Sequence, residues 1–136
     1  MNEELKISTT FIENRIFSIR NIQVMVDRDL AEMYQVPVKR LNEQVKRNID
    51  RFPASFRFQL TSEEKNELVA NCDRFENIKH SSTQPFAFTE QGVAMLSAVL
   101  RSDIAVQVSI QIMNAFVQMR KSIISNAGIF QRLDKI

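Results

Sequence analysis

The stretch that decides the fold is DRDLAEMYQVPVKRLNEQVKRNIDR, residues 27–51. Small and apolar side chains recur along it at the spacing that two short helices joined by a tight turn require, at Ala31, Tyr34, Val36, Leu41 and Val45. A small residue such as Ala31 lets two helix backbones approach closely, and Val36 fills the angle between them just after the turn. The pattern therefore predicts a helix-turn-helix. Gln35 stands where the turn usually has a glycine, so we expect a looser turn.

Capping residues and prolines frame the two predicted helices. Asp27 is a suitable N-cap for the first helix, and Asp29 adds favourable negative charge to its first turn. Pro37 stands where the second helix begins, a position that tolerates its missing N–H. Pro53 disfavours helical geometry just before it, so we expect the second helix over residues 38–50.

The second helix points its polar side chains away from the helix pair, at Lys39, Arg40, Asn42, Glu43, Lys46 and Arg47. Residues 37–57 contain six basic and two acidic residues, a local charge of +4 within a chain of net charge +2. Basic side chains concentrated on one helix are typical of a nucleic-acid interface, and a solvated basic helix face is the plainer alternative.

Position along the second helix divides the expected DNA contacts into two groups. Because the N-terminal part of a recognition helix meets base edges, we expect base contacts from Lys39, Arg40, Asn42 and Glu43. Arginine can pair with guanine, and asparagine with adenine. Residues farther along should neutralise phosphates, namely Lys46, Arg47, Arg51 and Arg57. For Arg57, which falls on a predicted strand, a solvent-facing strand position is the plainer alternative.

Three stretches of the remaining chain have the alternating pattern of strands. β-branched residues on either side of Arg20-Asn21 predict a hairpin within residues 14–26. Alternating phenylalanines predict strands at residues 55–60 and 86–88, where core packing explains them better than a platform for stacked bases. The sequence therefore predicts an α+β fold with a small antiparallel sheet.

Helices fill most of the rest. Thr61 and Glu64 have the capping-box spacing that opens a helix, and Thr89 caps another. The polar stretch 73–84 is predicted as an exposed loop, and the longest helix is expected at residues 104–125. The expected core includes Leu30, Ala31, Tyr34, Val36, Leu41, Val45, Phe56, Phe58, Phe88, Val93, Leu96, Val108 and Ile112.

The longest helix has apolar side chains on two faces. One stripe consists of Ala105, Val108, Ile112, Ala115, Phe116 and Met119, and the other of Val106, Ile110, Met113 and Val117. A helix on the surface of a domain needs only one such stripe. Either the second stripe packs within the domain, or the chain forms a homodimer through the helix at 104–125. Both interpretations stay open at this point.

The domain organisation follows from the limits of these patterns. Residues 1–11 have no periodicity and are expected to be disordered, and residues 12–126 form one domain. Residues 127–136 have apolar residues at helical spacing and are expected to begin a C-terminal helical or coiled-coil extension. The pattern stops before it is complete, so we expect the chain to be part of a longer protein.

The composition argues against several classes of protein. Cys72 and His80 are each the only residue of their kind, too few for a zinc site, so no metal is expected. The chain has two glycines, Gly92 and Gly128, which excludes glycine-rich nucleotide-binding loops. We expect no enzyme activity, no cofactor and no small-molecule substrate. Polar residues interrupt the most apolar stretch, 104–119, so we expect no membrane span and a place in the bacterial cytoplasm, at the nucleoid.

Four blocks of the sequence, in order, resemble the phage-type ORF-six N-terminal domain: IRNIQVMVDRDLAEMYQV, KRLNEQVKRN, RFPASFRFQLT and FTEQGVAML. That domain is related to the KilA-N and Bro-N modules of phage antirepressors and large DNA viruses. The resemblance covers about residues 12–120. It implies an α+β domain that binds DNA sequence-specifically, carried by phages, prophages and bacterial genomes, usually ahead of a variable regulatory region.

Two functional hypotheses result. In the first, the chain is a duplex DNA-binding domain of a phage- or prophage-type transcriptional regulator or antirepressor, and contacts DNA through the helix at 38–50. In the alternative, it is a protein-interaction module that acts on another repressor, and the helix-turn-helix is only a scaffold. The salt dependence of DNA binding separates the two hypotheses, because phosphate contacts release counterions.

Overall fold

The computed structural model describes the backbone of residues 7–134 and the side chains of residues 7–122. The α-helices of this part of the chain are α1 (Thr9–Glu13), α2 (Asp27–Tyr34), α3 (Val38–Arg47), α4 (Ser62–Asn71), α5 (Glu90–Leu100) and α6 (Asp103–Asp134). Short 3-10 helices follow α3 and α4, at Ile49–Arg51 and Asp73–Ile78. The strands are β1 (Phe17–Ile19), β2 (Ile22–Val26), β3 (Arg57–Gln59) and β4 (Phe86–Phe88).

The four strands form one antiparallel sheet in the order β1-β2-β4-β3. Arg20 and Asn21 join β1 to β2 with φ values of 57° and 61°, and two consecutive positive φ angles are the mark of a type I′ hairpin turn. Along β2, Met25 packs into one hydrophobic cluster, whereas Val24 and Val26 pack into a second one. The sheet therefore separates two clusters, and the predicted α+β class with a small antiparallel sheet is confirmed.

The larger cluster joins the sheet to helices α1, α2, α3, α5 and α6. Its fully buried members include Leu30, Leu41, Phe88, Leu96 and Ile112. The first apolar stripe of α6 faces this cluster. The predicted core is confirmed apart from three residues, which are only half-buried: Val36, Phe56 and Phe58.

The smaller cluster corrects one expectation about the chain after α4. Residues 73–84 were expected to form an exposed loop, but the 3-10 helix Asp73–Ile78 lies within them. Phe75 and Ile78 are buried there and pack with Leu68. These two apolar residues are too few to produce a periodic signal in a polar segment, although they are enough to anchor it.

The two ends of the chain also differ from expectation. Residues 7–11 were expected to be disordered, but α1 begins within them, capped by the Ser8 side chain, and Ile12 is buried. Residues 1–6 lie outside the described part. Helix α6 is longer than the predicted 104–125 and continues through Asp134. Among residues 7–134, no helix is long and apolar enough to cross a bilayer.

Local capping signals were predicted correctly. The Thr61 hydroxyl accepts a hydrogen bond from the Glu64 N–H at 3.1 Å, and the Glu64 carboxylate accepts one from the Thr61 N–H at 2.8 Å. This is the complete capping box at the start of α4. The Thr89 hydroxyl likewise accepts from the Gly92 N–H at the start of α5.

Candidate nucleic-acid interface

Helices α2 and α3 form the predicted helix-turn-helix. Leu41 and Val45 on α3 both have an exposed fraction of 0 %, and they pack with Ala31 and Tyr34 of α2. Exposure of Leu41 and Val45 would have refuted the motif. Because these two residues are buried, the opposite face of α3 points toward solvent.

The turn between the two helices is tight, and the expectation of a looser turn was wrong. Gln35 adopts the left-handed conformation, with φ 60° and ψ 42°. The Val36 N–H donates to the Ala31 carbonyl at 3.0 Å, and the Gln35 N–H donates to the Glu32 carbonyl at 3.2 Å. These two bonds form a Schellman motif, the usual helix ending built on glycine. Gln35 therefore tolerates the conformation that glycine would adopt freely.

The outer face of α3 is charged and exposed. Lys39, Arg40, Glu43, Lys46 and Arg47 are all exposed, and a shallow depression in this surface is lined by Pro37, Lys39, Arg40, Glu43, Gln44 and Arg47. Gln44 was not among the predicted contacts. Its spacing from Arg40 and Arg47 puts these three side chains on one helix face, a signal that was present in the sequence. A surface of this kind can donate several hydrogen bonds to phosphates or to base edges.

Asn42 does not belong to that exposed face. Its Nδ2 donates to Oδ2 of Asp27 at 3.0 Å, and its Oδ1 is buried. Because both ends of the amide are turned inward, the expected contact of Asn42 with adenine has no support in this arrangement. Its amide instead ties α3 to the first residue of α2.

Asp27 also has a role different from the one expected. Val26 is the N-cap of α2, and Asp27 is the first helical residue. Its buried carboxylate accepts from Asn42 and from the Phe86 N–H at 3.3 Å. Burial raises the pKa of Asp27, and the hydrogen bond from Asn42 opposes that shift. Asp27 therefore links α2, α3 and β4 at one buried point.

Arg57 is not fully solvent-facing, as the plainer alternative had it. It is half-buried, and its guanidinium lies 3.6 Å from the centre of the Phe86 ring. Burial lowers the pKa of Arg57, and the nearby Asp27 carboxylate opposes that shift. One face of the Arg57 guanidinium therefore stacks within the fold, and its phosphate contact stays a prediction.

The chain after α3 stays near the candidate interface. Helix α3 ends at Arg47 rather than continuing to residue 50. The 3-10 helix Ile49–Arg51 follows it after Asn48. Asn48 makes this break, because its side chain bonds back to the Gln44 carbonyl at 2.8 Å. Arg51 is exposed, as a phosphate contact must be.

A second charged cluster lies apart from the exposed face of α3. Asp29 was expected to be a simple first-turn charge, but it is buried and accepts two hydrogen bonds from Arg74, at 3.1 and 2.9 Å. Burial raises the pKa of Asp29, and the bonds from Arg74 oppose that shift. These partners satisfy each other, so we interpret the pair as a structural link between α2 and Asp73–Ile78. Among the described residues, no group of three or more His, Cys, Asp or Glu side chains could hold a metal ion.

Comparison with known proteins identifies the domain. A family model of the ORF6N domain matches residues 14–99, which is more than half of the chain and includes the whole helix-turn-helix and sheet. No curated protein and no solved structure gives a match. The match agrees with the resemblance of the four sequence blocks, and the chain belongs to the ORF6N domain family.

Proposed function

We propose that this domain binds duplex DNA sequence-specifically through α3, as part of a phage- or prophage-type regulator acting at the nucleoid in the bacterial cytoplasm. The observation that carries the proposal is the division of α3 into two faces. Leu41 and Val45 are fully buried, whereas the opposite face exposes charged side chains on a helix-turn-helix. In this motif the second helix enters the major groove.

Base contact is proposed for the N-terminal half of α3. Lys39 and Arg40 can donate to guanine, and Glu43 can accept from cytosine. Gln44 joins this group because it lines the same depression and can pair with adenine. In this arrangement the Asn42 amide is turned inward and bonds to Asp27, so we assign the adenine contact to Gln44.

Phosphate contact is proposed for the C-terminal end of α3 and the turn that follows it. Lys46, Arg47 and Arg51 are exposed, and each can neutralise a phosphate. Lys46 and Arg47 also lie in the last turn of α3, where positive charge stabilises the helix dipole in the absence of DNA. Their presence alone therefore does not require a nucleic-acid partner, and binding must be measured.

The first experiment compares Arg40→Ala with Arg47→Ala, after the preferred site has been selected from a random pool of duplex oligonucleotides. Arg40→Ala should cost about 1–3 kcal/mol on the selected site and much less on random DNA. Arg47→Ala should weaken binding to all sequences alike, and should reduce the slope of log affinity against log salt by about one unit. Lys79→Ala is the matched control, since it removes one exposed positive charge outside α3.

The outcome decides between the two functional hypotheses. Wild-type affinity should fall steeply as salt rises, by a log–log slope of about −0.9 for each neutralised phosphate. If Arg40→Ala and Arg47→Ala bind as the Lys79→Ala control does, with unchanged circular dichroism, then α3 is not the DNA-contacting helix. Absence of DNA binding by the wild type would favour the protein-interaction module instead.

A further inference from the structure

The second apolar stripe of α6 is exposed at its N-terminal end. Val106 has an exposed fraction of 48 % and Ile110 of 56 %, whereas Val108 and Ile112 on the first stripe are fully buried. Exposed large hydrophobic residues are few in the described part of the chain: Ile22, Ile49, Ile104, Val106 and Ile110. Two of them, Val106 and Ile110, are four residues apart and share one face of α6, whereas Ile104 lies on the other side of the helix. Neighbouring exposed apolar residues of this kind can mark an interaction surface.

The spacing of the stripe is that of a helix-to-helix seam. Val106, Ile110, Met113 and Val117 follow one another at intervals of four, three and four residues. Apolar residues at alternating intervals of three and four keep one line facing a partner helix. Met113 and Val117 are half-buried, and Met113 also packs against the larger cluster, so the exposed part of the seam is Val106 and Ile110. In the sequence, Ile124 follows Val117 by seven residues and so keeps the same spacing.

The lack of charged side chains along this part of α6 limits what kind of helix fits the seam. Residues 104–119 contain no charged side chain, although the helix runs along the surface on this side. A helix with charged side chains would find no opposite charge along this seam. The seam of a second copy contains no charged side chain, so pairing the two creates neither repulsion between like charges nor an unpaired charge. Charge returns at Arg120, whose guanidinium pairs with Glu90 at 2.7 Å. The uncharged stretch of α6 therefore ends at Arg120.

We propose that the seam of α6, defined by Val106, Ile110, Met113 and Val117, is the dimer interface and that its occupant is the same seam of a second copy. A two-fold pairing places one surface against itself, so a self-compatible, uncharged seam meets the requirement of an isologous interface. The helix supplies length as well: its 32 residues span about 48 Å at 1.5 Å per residue.

The dimer has a consequence that rests on the proposed function. The Tyr34 hydroxyl and the Ser109 hydroxyl are 2.6 Å apart and buried, which ties the helix-turn-helix directly to α6. Two copies joined at α6 therefore hold their α3 helices at a set separation. Dimeric helix-turn-helix proteins bind two half-sites of DNA about one helical turn, roughly 34–36 Å, apart.

Sedimentation equilibrium without DNA tests the interface on the whole chain. The wild type should be dimeric at about 100 µM, and Ile110→Glu should raise the dissociation constant at least about tenfold, because the two-fold symmetry buries the new charge twice. Gln118→Glu is the matched control: it adds the same charge at an exposed position of α6 outside the seam, and the dimer should persist. Circular dichroism of both variants shows whether the fold is kept.

Three results would overturn the proposal. One is a wild type that stays monomeric at about 100 µM, which would leave the seam to a different protein. Another is a dimer that Ile110→Glu and Gln118→Glu weaken equally. The third is an Ile110→Glu variant that is folded and fully dimeric. None of these measurements involves DNA, so a failure of the dimer and a failure of DNA binding are observed separately.

Discussion

Gln35 is the residue on which the angle between α2 and α3 depends. Its left-handed backbone lets the Val36 N–H reach the Ala31 carbonyl, so the chain reverses within a single residue. For a residue with a Cβ atom this conformation costs roughly 1–2 kcal/mol. Glycine adopts it without that steric cost, but its unfolded state has more conformational freedom, which cancels part of the advantage. The tight turn of this domain is therefore achieved at a cost in stability.

Gln35→Gly should raise the free energy of unfolding by about 0.5–1 kcal/mol, because it removes the steric cost and keeps both turn hydrogen bonds. Urea denaturation measures the change. Gln118→Gly, the same substitution at an exposed position inside α6, should lower the free energy of unfolding by up to about 1 kcal/mol. Equal destabilisation by both substitutions would mean that Gln35 is not strained.

Between elements, α5 approaches the chain before β3 closely. The Phe56 carbonyl accepts hydrogen bonds from the Thr89 N–H at 2.9 Å and from the Thr89 hydroxyl at 3.2 Å. A Cβ atom added at Gly92 would lie 2.1 Å from that same carbonyl oxygen. Only glycine fits at this point of α5, so the helix can begin directly against the sheet.

Gly92→Ala should therefore lower the free energy of unfolding by about 3 kcal/mol, through overpacking against a backbone atom. The sign is diagnostic, since replacing glycine by alanine inside an unobstructed helix stabilises it by about 1 kcal/mol. Gln91→Ala, at the exposed neighbouring position, should change the free energy of unfolding by less than about 0.5 kcal/mol. Stabilisation by Gly92→Ala would show that α5 does not approach Phe56 so closely.

Contacts between elements also set the limit of what the sequence could predict. Thr61 and Glu64 are three residues apart, so their capping box was visible in the sequence. Asp27 bonds to Asn42 and to Phe86, residues that lie 15 and 59 positions away. A local pattern contains no information about such partners, which is why Asp27 was predicted as a helix cap and Asn42 as a base contact.

The same distinction holds for the candidate interface. Leu41 and Val45 were predicted correctly because helical periodicity states which side of α3 is buried. The stacking of Arg57 was not predicted, because only the pairing of β3 with β4 brings its guanidinium over the Phe86 ring. Periodicity predicts which face of a helix or strand is buried. Contacts between residues far apart in sequence decide which of its polar side chains make contacts within the fold.

Across the whole molecule, two buried carboxylates shape the dependence of stability on pH. Burial raises the pKa of both Asp27 and Asp29. An acid whose pKa is higher in the folded chain binds its proton more tightly there. Its contribution to the free energy of unfolding therefore falls as pH rises from the unfolded value, about 4, through the folded value. At neutral pH the ionised Asp27 is a net cost, partly offset by the bond from Asn42.

Asp27→Asn removes that cost and keeps an oxygen that can accept from Asn42 and from the Phe86 N–H. Relative to this variant, the wild type should gain stability as the pH is lowered from 7.5 toward about 4, because the folded chain takes up the proton of Asp27 at a higher pH than the unfolded chain does. Urea denaturation at both pH values measures the difference. Asp73→Asn, at an exposed carboxylate, is the control. A pH-independent difference between wild type and Asp27→Asn would contradict a raised pKa.

The sheet that supports the interface has two short edges. The edge strands β1 and β3 are three residues long. Beside them, Arg20 lies over the Phe58 ring and pairs with Glu64, and Arg57 covers Phe86. Long bare strand edges are the templates on which proteins stack into amyloid, and short edges with charged side chains prevent it. Short edges beside charged side chains therefore make this sheet a poor template for edge-to-edge pairing between crowded copies.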